Sequence, residues 1–191
     1  MTNQMFVRLI VAAASTGLLT LSAAPPAIAQ VEPRKDFQIL QDVTHEVRRY
    51  VHFTVFDDIS AGVDNGVVTL TGKVTMPYKR TDIEKRVTKV FGARSVVNRI
   101  EVLPVSQFDN ELRYRIARAI YGNPNFWPYA SMANPPIHIV VDRGHVTLSG
   151  VVRSEVDRML ARSLATSFGA FSVTNELKTD SEVREQLEQL S

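Results

Sequence analysis

Apolar positions along this chain switch between a period of four and a period of two, and the order of the switches is written twice. Val43, Val47 and Val51 recur every fourth residue, as do Leu112, Ile116 and Ile120, which sets each group along one side of a helix. Asp36, and Asp109 or Asn110, stand where helix amino-terminal caps are favoured. Alternation across a turn follows each helix. Residues 64–67 read DNGV, and Asn-Gly accepts the positive φ angles of a type I′ hairpin turn; the second stretch has the weaker pair Arg143-Gly144. Two-residue loops place Val63 opposite Val68, Ala61 opposite Leu70, Val141 opposite Val146 and Ile139 opposite Leu148, all on the core side. A second helix is predicted over 78–91, with Ile83, Val87 and Val90 inward, and over 155–168, with Met159, Leu160 and Leu164 inward. Gly92 and Gly169 suit the left-handed residue that ends such helices. A last strand alternates through Val96, Asn98, Ile100 and Val102, and through Val173, Asn175 and Leu177.

The repetition extends to the letters themselves. GVVTLTGKV at 66–74 returns as GHVTLSGVV at 144–152, and FGARSVVN at 91–98 returns as FGAFSVTN at 168–175. Self-similarity at a fixed offset is the mark of duplicated units. The predicted fold class is therefore α+β: two tandem αββαβ units, 36–103 and 108–179, each a three-stranded mixed sheet with two helices packed on one face. Units this small have marginal cores, and the link at 104–108 is short, so the two are expected to pack together. Residues 180–191 read either as a short helix with Val183, Leu187 and Leu190 on one side or as a frayed tail.

Composition changes the picture chiefly through destination. Arg8, the uncharged apolar run 9–21 and Ala27-Ile28-Ala29 form a signal-peptide pattern over 1–29 that predicts export, with Gln30 as the first mature residue. The chain holds no cysteine, which excludes disulfides, thiolate metal sites and attachment through a lipidated cysteine. The 22 basic and 20 acidic residues nearly cancel, and the leader carries only Arg8 among them, so the broad positive footprint of a nucleic-acid binder is missing.

The paired-glycine hairpin strands, GVVTLTGKV and GHVTLSGVV, together with FGARSVVN and FGAFSVTN, resemble the BON domain family of bacterial envelope proteins across roughly 36–179. The first copy departs more from the pattern, through His45, Arg48, Arg49 and His52 in its early helix and the short segment 54–58. The resemblance implies a non-enzymatic, periplasmic module associated with phospholipid, the envelope or other envelope proteins.

The two copies differ most where the second carries about nine extra residues before its hairpin. This segment, 121–132, contains Phe126, Trp127 and Tyr129 beside a helix bearing Arg113, Arg115 and Arg118. Exposed aromatics next to cations suit an anionic phospholipid surface, so Arg115, Arg118, Phe126, Trp127 and Tyr129 are the candidate lipid contacts. The bland reading has the aromatics closing a small core and the arginines solvating a helix. The second functional reading is a protein-interaction adaptor for an envelope assembly, acting through an open sheet edge or the inserted segment. His45, His52, His138 and His145 show no ligand geometry, so neither metal nor cofactor is expected. No nucleophile elbow, phosphate loop or HExxH pattern is present; Asp57 and Asp58 would face opposite ways in a strand, and no catalytic residue is predicted. Asn98 and Asn175, at matching strand positions, are expected to be structural.

Overall fold

The computed structural model describes residues 34–190; the predicted leader at 1–29 lies outside the described residues. The first unit runs α1 (Asp36–Arg48), β1 (Asp58–Asp64), β2 (Val67–Val74), α2 (Pro77–Val87) and β3 (Ser95–Val102). The second runs α3 (Gln107–Tyr121), a 3-10 turn (Pro124–Phe126), α4 (Trp127–Ala130), β4 (Ile137–Asp142), β5 (His145–Val152), α5 (Glu155–Thr166) and β6 (Ser172–Thr179), and α6 (Asp180–Leu190) closes the chain as a helix. Sheet orders are β1-β2-β3 and β4-β5-β6, the first pair of each antiparallel and the second parallel. All four hairpin pairs take the predicted register.

Each sheet buries one face. In the first unit Ile39, Val43 and Val47 of α1 and Ile83 and Val87 of α2 meet Val68, Leu70 and Ile100. In the second, Leu112, Ile116 and Ile120 meet Ile139, Val141, Leu148 and Leu177. Two predicted core positions are wrong. Val51 is 82% exposed because α1 stops at Arg48, and Tyr50 takes the inward place. Met159 is 57% exposed; the deep positions of α5 are Ala161 and Ala165, small side chains that let the helix sit close to the sheet.

The two capping aspartates do something else. Ser106 caps α3, and Lys35 precedes α1 without a side-chain cap. The Asp36 carboxylate instead accepts the N–H groups of Asn65 and Gly66 at 2.7 and 2.8 Å. Asp109, fully buried, accepts those of Arg143 and Gly144 at 2.9 and 2.8 Å. Each first helix thus clamps the hairpin turn of its own unit, which explains how the poor turn residue Arg143 holds a φ of +51°, matching Asn65 at +50°. Asn98 and Asn175 act alike. Their amide N–H groups donate to the carbonyls of Arg80 and Arg158 on the second helices, and their oxygens take the N–H of Ile100 and Leu177 two residues on.

Both repeats belong to one compact unit. The segment before β1 joins them: the Val55 carbonyl accepts Ile139 N–H at 2.6 Å, Phe56 packs against the second core and meets Tyr114 edge-on, and Phe53 meets His138. Lys73 pairs with Asp142 at 2.6 Å. Along β4, Tyr121 donates to the Ile137 carbonyl and Arg113 to that of Val141. These side chains and Val55 cover the edge of β4 that an added strand would use.

Candidate functional site

The inserted segment is ordered by its own sequence. The Asn123 side chain accepts Asn125 N–H, and Pro124 and Pro128 sit in first turns, where a missing N–H costs nothing. Phe126 and Tyr129 are three apart and so share a side of the turn, whereas Trp127 faces away. Phe126 and Tyr129 are buried, at 0% and 4% exposure, while Trp127 is 74% exposed. Two of the five predicted contacts are thus core residues. Their three-residue spacing was the available signal, and it becomes readable only once the segment is known to be helical.

Tyr129 is part of a buried polar joint. Its hydroxyl donates to Asp157 at 2.9 Å and accepts Arg153 N–H at 2.8 Å. Burial pushes its phenol upward, with Asp157 adding to the rise. The first unit solves the same problem with other groups. Thr75 N–H, at the position equivalent to Arg153, donates to Asp57, and Lys79, equivalent to Asp157, forms a 2.6 Å ion pair with Asp57. Asp36 precedes Asn65 by 29 positions and Asp109 precedes Arg143 by 34, so the insertion is five residues rather than the nine expected, and with it a hydroxyl replaces a carboxylate at the start of the second helix.

On the outside of this joint lies a cation that the sequence reading missed, bonded to the chain on either side of Trp127. Arg153 reaches the Tyr129 hydroxyl and the Asn125 carbonyl, with its guanidinium 5.2 Å above the Tyr129 ring. Hydrogen bonding to Tyr129 raises its already high pKa, so it stays charged. Nothing periodic marks Arg153 in the sequence. Arg115 and Arg118 are exposed on α3; Arg115 is paired with Glu111 at 3.3 Å, and among the described residues no bond or ring contact joins either arginine to Trp127. Arg113 differs from both, being buried, with desolvation holding its pKa below the usual value.

Among the described residues, no group of three or more His, Cys, Asp or Glu is placed to hold a metal ion, and no helix is long and apolar enough to cross a membrane. The model of the BON domain matches residues 35–104 and again 109–181. The chain belongs to the BON domain family. BON domains are envelope- and membrane-associated modules, and proteins that carry them are generally periplasmic or envelope-associated. Solved structures with some similarity to this BON protein include CdsD, a structural protein of the type III secretion system of Chlamydia trachomatis. It is 12% identical over 78% of this chain and 99% of its own, with a TM-score of 0.26. The CdsD C-terminal domain is 12% identical over 71% and 96%, with a TM-score of 0.25. No curated protein matches this chain.

Proposed function

We propose that this is an exported, non-catalytic envelope protein whose second BON unit rests on an anionic phospholipid surface. The supporting observation is the presentation of Trp127: an indole 74% exposed, held between two buried aromatic neighbours. The short helix fixes the backbone that carries this ring, so its entry into a headgroup layer costs little backbone ordering. Arg118 on α3 supplies a cation worth about 1 kcal/mol near such a surface, and Arg153, bonded to Asn125 and Tyr129 on either side of Trp127 and 3.7 Å from Asp157, adds a partly offset one. Arg115 contributes less, since Glu111 already offsets it. Phe126 and Tyr129 act by fixing the platform rather than by touching lipid.

Co-sedimentation with phosphatidylglycerol-containing vesicles at low salt tests the proposal. Binding should weaken for Trp127→Ala and, by about fivefold per charge, for Arg153→Glu and Arg118→Glu, and it should fade with salt. Unchanged binding in all three variants would discard this surface. Absence of binding, together with one protein recovered reproducibly by crosslinking through Trp127, would favour the adaptor reading instead. A hydrolase or transferase activity abolished by a single substitution would end the non-catalytic reading.

A further inference from the structure

A hollow of about 420 Å³ lies in the seam between the two units, and both line it. Its apolar walls are Val47, Phe53, Val55 and Ile59 from the first unit and Pro136 and Val151 from the second. All but Val47 are half-buried, so each keeps apolar surface turned to a space that the fold leaves open. Thr54, Asp58 and His138 give the hollow a polar side as well, and hydrocarbon laid along the apolar walls would remove apolar area from water at roughly 25 cal/mol per Å². A concave, mostly apolar pocket of this size between packed units is the usual form of a small-molecule site.

The mouth is polar and asymmetric. Thr44, Arg48 and Asn134 are exposed on the lining, and the Asn134 side chain donates to the Arg48 carbonyl at 3.2 Å, tying the second unit to the end of α1. Arg48 makes no ion pair among the described residues, leaving an unneutralised cation at the mouth. Asp58 supplies the carboxylate of the lining and repels an acidic group seated near it.

We propose that this hollow binds a single-chain amphiphile with an acidic head, its hydrocarbon against the walls from both units and its head at Arg48. Such binding needs neither a bilayer nor Trp127, and because the ligand touches both units it also strengthens their packing.

Nuclear magnetic resonance titration of the methyl-labelled protein tests this, using decanoate, decyl phosphate, decanol and decylammonium, each below its micellar concentration. The two acids should shift the methyl signals of Val47, Val55, Ile59 and Val151 saturably, and decanol and decylammonium should bind about tenfold more weakly. Arg48→Glu should remove that preference for acids. Ala133→Trp, at an exposed position on the mouth, should block all four probes without changing the melting temperature. The ratio of decanoate to decyl phosphate affinity distinguishes a fatty acid from a phosphate-headed chain. The proposal fails if the shifts are absent or spread beyond the seam, if decylammonium binds as well as decanoate, or if Arg48→Glu changes nothing. Trp127→Ala should leave these titrations untouched, so this proposal and the membrane reading stand or fall separately.

Discussion

Asp57 has the most at stake of any single residue. It is fully buried, ion-paired to the nearly buried Lys79, and accepts hydrogen bonds from the backbone and hydroxyl groups of Thr54 and Thr75. Burial alone would push its carboxyl upward, but Lys79, Thr54 and Thr75 outweigh that and hold it below the ordinary carboxylate value. A depressed folded-state pKa means that this stabilisation is present above the unfolded value, about 3.9, and is lost as the pH falls through the folded value. Asp57→Ala strands the Lys79 charge in the core and should cost about 3–5 kcal/mol in urea unfolding at neutral pH. Asp57→Leu combined with Lys79→Met should recover much of the loss, because no buried charge then remains. Equal loss in the single and double variants would show that the pair is not what the site depends on. None of this was visible in the sequence, where Asp57 was one of two adjacent acids.

Within the elements, the second glycine of each repeated motif has a steric reason. Gly72 and Gly150 sit in the second hairpin strands at φ +118° and +113°, and a Cβ at these sites would come within 2.2 Å of the Asp58 carbonyl oxygen and 1.8 Å of that of Pro136. Both the backbone angle and the close approach therefore demand glycine. Gly150→Ala should destabilise the protein by at least ~2 kcal/mol, read as a lower denaturation midpoint with an unchanged slope. A neutral result would mean that β4 can shift to admit the methyl group. The motif was legible as letters, yet its cause lies on the neighbouring strand. The hairpin turns divide the same way: Asn65-Gly66 announces itself, while Arg143-Gly144 relies on Asp109, about 35 positions earlier in the chain.

At the scale of the whole molecule, the seam between the units carries polar groups that are incompletely matched. Among the described residues, His138 Nδ1, Asp142 Oδ1, Ser149 Oγ and Arg113 Nε are buried without hydrogen-bond partners, and all lie on β4, opposite it or bonded to it. Desolvation lowers the His138 pKa, against the opposing pull of Asp58, Asp57 and the nearby backbone of Thr54. The unfolded chain therefore takes up the proton first. Stability is complete above the unfolded value, about 6.5, and is lost as the pH falls below it. The melting temperature should drop between about pH 7.5 and about pH 5, and His138→Leu should remove part of that drop. An identical pH profile in the variant would exclude His138 as its source.

The αββαβ order, the hairpin registers and the duplication were determined by the sequence alone, because hydrophobic period and turn chemistry act between residues close along the chain. Phe126 and Tyr129 were misplaced because an aromatic ring suits a core or a wet surface equally well; the choice depended on the turn that puts them on one side and on Asp157 and Arg153 waiting there. Which carboxylates clamp turns, which edges are covered and where the two units leave a hollow were decided by tertiary structure alone. Each depends on groups distant in the chain meeting within hydrogen-bond or van der Waals reach, a matter of assembled geometry that no local pattern encodes.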